Sequence, residues 1–546
     1  MQRCATQFNV WRVFRFTADL ILISLALVAL AHSFRLIFEN INNLPRDDDF
    51  NSVIDLLTRL NASQSFDQVL SILFGPHNEH RVLALRLIVI SYCALFGQVN
   101  FMMLTCIGLL LLVCFQYFVA VKFFCNLRER IYAYLLLLLF VLNTKNYDNH
   151  LWATAALTGI PSLFCAFLSF YLITFCNRWV SALWPAILAA MTLANGFIVF
   201  FICCLEFFLQ RRWRILALWL IPTTFFTYLQ YLALQSLSRK QELDLSVFLS
   251  KYDYFLGFIG NGFASESLQF GIWFGIVIIL LGIFSAFSRQ RAAFLFFCFL
   301  VGTAALNLLA RGNYDSQAVV IQSRYALPSF AVGGVLILNL IRQAKISNLL
   351  LPATLLLALS CYWSHYDLWR HGYDYSQQRA SDSLTRYALS EEGLNYPFKG
   401  VAEQIIAESR NKYFDLSTAK PEISLANPVS LSEKKTRYGK TGVCAHLIAT
   451  PRHLIINGTF YPPDVSRMRN NYFVILKSAD SQLAFTTQSR INFANRLTSS
   501  NPNLLNTGYF AVIDRNQVPT GQYKVEILMK NRKFRRKFDC QRTLTL

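Results

Sequence analysis

The sequence predicts a polytopic α-helical membrane protein with a small β-rich domain at its C-terminal end. Three observations predict it. Of 546 residues, 54% are hydrophobic and only 15% are charged, where an ordinary soluble domain carries about 25% charged. The apolar residues come in long blocks between Phe16 and about His365, many close to the roughly 20 residues that a bilayer crossing takes. After Gly442 the pattern changes to short alternating runs parted by turn signals. A simple soluble enzyme and a disordered chain are both excluded. Aromatic residues at 15%, 48 of them Phe, suit lipid-facing helices with wet ends.

The opening segment MQRCATQFNVWRVFRF sets Arg3, Arg12 and Arg15 before the apolar run 17–38. No small-residue cleavage site follows closely, so the run reads as an uncleaved first span. Further runs lie at 99–124, 131–144, 151–176, 179–194, 196–209, 215–236, 267–287, 292–310, 326–341 and 348–364. The run 83–97 is short and carries Arg86. The basic loops are Lys122/Arg128/Arg130, Arg178, Arg211/Arg212/Arg214, Arg289/Arg291 and Arg342/Lys345. The positive-inside rule puts all five in the cytoplasm only if 83–124 crosses once. Residues 83–97 then lie along the outer interface. The result is about 11 spans, an N-terminus in the cytoplasm, and everything after 365 outside. The domains are 1–365, a transmembrane domain with a long first outer loop at 39–98; 366–440, a helical linker; and 441–546, a small β-rich domain.

Net charge is +20, with 26 basic and 15 acidic residues from 365 onward. In the membrane part the basic residues sit in short loops, so topology explains them better than nucleic acid does. Of 13 cysteines, eleven lie at or before Cys361, mostly in apolar runs where Cys acts as a small hydrophobe. No CxxC or Cys/His metal spacing occurs. Cys444 and Cys540 stand alone in the tail and form a disulfide only in an oxidising compartment.

This topology sorts the chemistry to the outer face. Asp47, Asp48 and Asp49 follow the first span. Adjacent carboxylates raise one another's pKa, which suits a general base, and their oxygens also suit a divalent cation such as Mg or Mn at Asp47 and Asp49. The plainer reading is a solvated acidic turn. The same loop ends FGPHNEHRVLALRL, with His77, Glu79, His80 and Arg81 within five residues. The spacing is not HExxH; His and Arg beside a carboxylate suit a phosphate or an oriented acid/base group, or an interfacial cap. Arg311 and Arg324 flank the loop LARGNYDSQAVVIQSRYALPSF, and Tyr325 follows Arg324 at the start of an apolar span. Charge at that depth is costly and usually functional, and a guanidinium fork suits a lipid-linked phosphate; the alternative is a snorkelling anchor. The loop TKNYDNHLW gathers Lys145, Asn146, Tyr147, Asp148, His150 and Trp152, with Trp152 a candidate sugar platform or a plain interface residue. Asn195-Gly196 reads as a tight outer turn between two short helices.

Together, a first span, an outer loop opening with an acidic cluster, HNEHR before the next apolar run, and the later Arg311 with Ser323-Arg324-Tyr325 resemble bacterial GT-C superfamily glycosyltransferases over residues 1–365. The resemblance implies transfer of a sugar from a polyprenyl-phosphate donor, such as undecaprenyl phosphate, to a cell-envelope glycan acceptor of the lipopolysaccharide type. The reaction would run with inversion on the periplasmic face of a bacterial inner membrane. It implies an Asp of the first loop as base, Asp48 first, with Asp47 and Asp49 beside it. Arg324, Arg311 and Tyr325 would meet the donor phosphate, His77, His80 and Arg81 would shape that site, and Glu79, Lys145 and Trp152 would support it. The triple acid departs from the expected pair and leaves the base open among the three. Many such enzymes need no metal, and no other cofactor is implied.

In the tail, SQQRASDSLTRYALSEEGL and FKGVAEQIIAESRNKYF show amphipathic helical spacing. The runs VCAHLIA, RHLIINGTFY, NYFVILKS, QLAFTTQ, GYFAVID and YKVEILM predict a small β-sandwich. It holds no nucleophile–base set and reads as an acceptor-binding or structural cap. A transporter or flippase of a lipid-linked sugar is the main alternative; such proteins often show internal repeats with matching broken helices, and none is visible. An O-antigen ligase or polymerase places its long loop late among the spans. A scaffold leaves the acidic and HNEHR clusters without a role.

Overall fold

The computed structural model describes residues 2–546 apart from 79, 236–249, 289–290, 312–314, 345–346, 391–393, 395–399, 410–411, 415–424, 430–436, 439–441, 461–470, 480, 491–507 and 531–534. The chain divides into two compact units. One is Met1–Asn43 with Asn51–Arg370, the other Leu44–Phe50 with His371–Leu546.

In the first unit the apolar runs become helices because a bilayer core offers backbone groups no water, and a helix satisfies each N–H and C=O within its own segment. Among the described residues eight helices are long and apolar enough to cross a membrane: Arg15–Asn40, Phe101–Phe123, Ala153–Thr174, Trp213–Ala233, Leu268–Ala286, Arg291–Arg311, Ser323–Gln343 and Leu349–Ser390. The chain is a multi-pass membrane protein. By length alone it falls short of the expected 11 or so spans. The other three runs form helices Leu127–Val141, Leu183–Ala190 and Ile198–Leu209, of 15, 8 and 12 residues. At 1.5 Å per residue these reach about 22, 12 and 18 Å, less than the roughly 30 Å hydrocarbon core. The last two are separated where expected, at Asn195-Gly196. The Gly196 backbone lies so near Ala189 that any Cβ there would collide with its carbonyl. The interfacial run is the 14-residue helix Leu83–Phe96.

Glycines let helices close on one another. A Cβ on Gly260, in the helix Tyr252–Gly260, would strike the backbone of Gly271 and Gly275 in Leu268–Ala286; one on Gly275 would strike the Leu256 carbonyl. Gly271 and Gly275 form a GxxxG step, the small-residue spacing that brings membrane helices together without a hydrophobic drive.

Hydrogen bonds sort the helix ends into two groups. Phe101 N donates to Asn43 Oδ1 (2.8 Å), the Ser52 and Thr154 hydroxyls meet at 2.7 Å, and Asp148 N donates to Ser323 Oγ (3.0 Å). Elsewhere, Arg128 forks onto Asp19 at 2.7 and 2.8 Å, the Tyr132 hydroxyl donates to the same carboxylate at 2.6 Å, and Ser347 donates to Glu129. Ends expected outside meet each other, and ends expected inside meet each other.

The last helix runs Ser347–Ser390, 44 residues, or about 66 Å. It continues well past the apolar run 348–364 into the expected linker, because SQQRASDSLTRYALS keeps helical spacing.

The second unit holds two sheets. One has the order β1-β9-β8-β4-β5, with β1 Arg437–Tyr438, β9 Arg535–Thr545, β8 Gln522–Lys530, β4 Asn471–Lys477 and β5 Gln482–Thr486. The other is β2-β3-β7-β6, with β2 Gly442–Ala449, β3 His453–Phe460, β7 Gly508–Asp514 and β6 Gln488–Arg490. Successive side chains point to opposite faces. Leu454 and Ile456 of β3 and Tyr509, Ala511 and Ile513 of β7 therefore join Tyr472, Val474 and Leu476 of β4 and Tyr523, Val525, Ile527 and Met529 of β8 in one buried apolar cluster drawn from both sheets.

Candidate functional site

The residues singled out by sequence fall into both units. The acidic triplet belongs to the second. Arg46 N donates to Asp49 Oδ2 (3.1 Å) and Asp49 N donates to Arg46 O (2.8 Å), which closes a turn and buries Asp49. Asp47 takes a left-handed φ of 44°, a conformation uncommon outside glycine that marks local strain. Its carboxylate pairs with Arg379 at 3.5 Å. Asp47 and Asp48 are half-buried. Among the described residues no group of three or more His, Cys, Asp or Glu is arranged to hold a metal ion.

The described residues of HNEHR bring His77 and His80 together. His77 and His80 exchange backbone hydrogen bonds of 2.6 and 2.9 Å, and Asn78 and Val82 have φ of 52° and 50°. His80 Nδ1 accepts from Ala194 N at 3.1 Å. Arg81 is buried and donates from its two terminal nitrogens to Phe74 O and Leu229 O, both 2.8 Å. It ties the C-terminal end of the helix Phe66–Phe74 to the helix Trp213–Gln235. Burial lowers its pKa from the usual guanidinium value. These bonds take one N–H from each terminal nitrogen of Arg81 and hold the guanidinium in place. Glu79 lies outside the described residues.

The segment 144–152, read as a loop, is folded into the protein. Lys145, Asn146 and His150 are fully buried, and Asn149 and Trp152 nearly so. Trp152 is 8% exposed, and a ring so enclosed offers no open face to a sugar. His150 Nε2 lies 3.0 Å from Val141 O, and burial pulls its pKa from 6.5 to about 4. Lys145 Nζ donates to Asn261 O and Ala264 O, both at 2.5 Å, and sits 5.2 Å from the centre of the Trp369 ring. Burial drops its pKa well below the usual lysine range.

The third cluster converges. Ser323–Tyr325 is a single turn of 3-10 helix ahead of the helix Ala326–Gln343. It turns Tyr325 toward the end of Arg291–Arg311, where Arg311 donates to the Tyr325 hydroxyl. The guanidinium carbons of Arg311 and Arg324 lie 5.8 and 5.3 Å from the Tyr325 ring centre, and Phe258 packs beside it at 5.2 Å. Both arginines and the tyrosine are half-buried. Two guanidiniums beside one aromatic ring repel each other, and the ring's negative faces or an anion offset that repulsion.

Sequence reasoning missed Asn149, whose amide donates to Arg324 O at 3.3 Å, and Asn261, whose amide donates to Val319 O at 2.7 Å and Gln322 O at 3.3 Å. Gly260-Asn261-Gly262 carries a turn signal that could have drawn the eye to Asn261. Arg379 has no local signal. In the tail, Cys540 is disulfide-bonded; the side chain of its expected partner Cys444 lies outside the described residues.

The fold and this cluster define a multi-pass membrane protein in which two arginines, one on the turn at the head of a membrane helix and one at the end of another, meet at Tyr325. No protein-family model, no curated protein and no solved structure matches the chain.

Proposed function

We propose that the chain is a membrane glycosyltransferase. It moves a sugar from a polyprenyl-phosphate donor to a cell-envelope glycan on the periplasmic face of a bacterial inner membrane. The observation that carries this reading is the convergence of Arg311 and Arg324 on Tyr325. Forked guanidinium donors match the oxygens of a phosphate and stabilise the charge that builds on it as it leaves. Their setting at the head of a membrane helix suits a phosphate whose polyprenyl tail stays in lipid.

The base is assigned to the first loop on sequence, with Asp48 the first choice and Asp47 and Asp49 next. It takes the proton of an acceptor hydroxyl. The acceptor oxygen bonds to the anomeric carbon, the bond from that carbon to the phosphate oxygen breaks, and polyprenyl phosphate leaves with the electron pair. Attack opposite the leaving group inverts the configuration. Eleven membrane crossings, a cytoplasmic N-terminus and a periplasmic β-sandwich complete the reading. Support for an outer second unit comes from the disulfide at Cys540, since such bonds persist in oxidising compartments.

The test is the mass of the envelope glycan repeat in wild-type cells, a deletion strain, and the deletion strain carrying Asp48→Asn at equal expression. Loss of one sugar in both altered strains is expected. Loss only in the deletion keeps the transferase and moves the base to Asp47, Asp49 or a residue elsewhere. An unchanged repeat in all three sinks the glycan-tailoring reading and favours transport of a lipid-linked sugar or a protein acceptor.

A further inference from the structure

We propose that Lys145 is a positioning residue for Arg324. Through Asn261, and through its neighbours Asp148 and Asn149, it holds the Ser323–Tyr325 turn in the one conformation that aims the Arg324 and Arg311 guanidiniums together at a phosphate. The inference rests on the phosphate-binding reading and names the device that makes such a site rigid.

The argument starts from cost. A lysine taken wholly out of water either loses several kcal/mol of hydration as an ammonium or gives up its proton, and such buried ionisable groups are paired or functional. Lys145 is fully buried, and its hydrogen bonds go to two backbone carbonyls, with Trp369 facing it. A methionine of similar shape would fill the same volume without that cost. The sequence places the lysine by a local device. The Asn143 side chain accepts from Lys145 N at 3.0 Å, which starts the 3-10 turn Thr144–Asn146 just beyond the helix Leu127–Val141.

The two carbonyls that Lys145 holds frame the 3-10 turn Asn261–Phe263. From that turn the Asn261 amide reaches Val319 O and Gln322 O, the latter immediately before Ser323. The turn has no room to shift: a Cβ on Gly262 would stand 3.0 Å from Ala326 O and from Phe330 N, at the start of the following helix. From the other side, Asp148 N donates to Ser323 Oγ and the Asn149 amide to Arg324 O. The segment 145–149 thus grips the Ser-Arg-Tyr turn twice directly and once through Asn261. The links are hydrogen bonds from the Lys145 amine, the Asn149 and Asn261 side-chain amides and the Asp148 backbone. Small displacements of an oriented donor cost far more in function than in stability, so the grip acts on what Arg324 can bind.

The test uses the full chain purified in detergent, with undecaprenyl phosphate and the uncharged alcohol undecaprenol as probes. Wild type is expected to prefer the phosphate. Lys145→Met is expected to cut that preference about tenfold, and Asn149→Ala a smaller amount, about threefold, while binding of the alcohol stays unchanged. A second readout does not depend on the ligand. The rate of phenylglyoxal modification at Arg324, followed by mass spectrometry, should change in both variants, while that at the exposed Arg35 stays as in wild type. A folded Lys145→Met with unchanged preference and unchanged Arg324 reactivity overturns the proposal. If that variant does not fold, Asn149→Ala decides it by the same two readouts. A wild type that does not distinguish phosphate from alcohol overturns the phosphate reading. A change in Arg324 reactivity in that case would still show the grip, stripped of its proposed purpose.

Discussion

At the residue scale, burial decides more than local sequence does. His150 sits in a run that reads as an outer loop, yet it is enclosed and neutral, with a pKa of about 4 against an ordinary 6.5. An unfolded chain therefore binds this proton before the folded one does. The stabilisation is complete above about pH 6.5 and is lost as pH falls toward 4, for a total of about 3 kcal/mol. Thermal unfolding of the purified protein between pH 7 and pH 4 should show this slope, and His150→Gln should remove most of it. An equal slope in the variant would place the acid sensitivity elsewhere. The same enclosure took Lys145 and Trp152 out of the exposed roles that spacing suggested. In TKNYDNHLW the polar residues are as frequent as in any loop; nothing local distinguishes a loop in water from a 3-10 turn and short helix packed under neighbouring helices. Arg311, Arg324 and Tyr325 were legible as costly residues at the edge of apolar runs. Their convergence on one ring was not, since it depends on how two helices meet.

At the element scale, apolar length and turn chemistry were legible, while pairing partners were not. The helices Phe101–Phe123, Ala153–Thr174 and Leu268–Ala286 fall within a few residues of the runs that predict them. The strands β4, β7 and β8 lie in the alternating runs that predict them, because a period of two matches a pleated strand. The parallel pairing of the short β1 with β9 and the grouping of Leu44–Phe50 with the second unit had no sequence signal; both join segments distant in the chain. The GxxxG step at Gly271 and Gly275 was present in the sequence, but its partners Gly257 and Gly260 emerge only from the contact. That contact gives a sharp expectation. Gly275→Val drives a branched side chain into the Leu256 backbone, which has no rotamer to yield, and should destabilise the protein by about 3 kcal/mol or more. A control substitution at Gly159, where the nearest atom to an added Cβ is an Asn149 side-chain oxygen at 3.7 Å, should cost far less. Equal melting temperatures for Gly275→Val and wild type would show that the two helices do not close as described.

At the scale of the whole molecule, the question is which loops share a side of the membrane and which side that is. The first part is carried by geometry. Asn43 meets Phe101, Ser52 meets Thr154 and Asp148 meets Ser323, whereas Asp19 meets Arg128 and Glu129 meets Ser347. Each set contains only loops that the basic-residue count had grouped together, so the grouping does not rest on charge alone. The second part belongs to the proposed orientation, and two independent considerations favour it. Arg128, Arg130, Arg178, Arg211, Arg212 and Arg214 fall in short loops that the positive-inside rule assigns to the cytoplasm. Cys540 is disulfide-bonded in the second unit, which favours an oxidising compartment. The reverse orientation would break both rules at once. It would also leave Arg311 and Arg324 facing cytoplasm, where the proposed transfer to an envelope glycan has no acceptor. Alkaline phosphatase fused after residue 148 or 371 should therefore be active, and after residue 178, 212 or 343 inactive, with a cytoplasmic fluorescent reporter giving the opposite pattern. The helices Leu183–Ala190 and Ile198–Leu209 make the region between 178 and 212 the strictest part of this test. If they cross as a short pair, fusions after 178 and 212 agree and one placed after Asn195 is active. If they only dip into the membrane, the fusion after Asn195 is inactive and the count of crossings drops by two with every other orientation intact. An active phosphatase after 212 would reverse the loops beyond it and remove the proposed site from the periplasm.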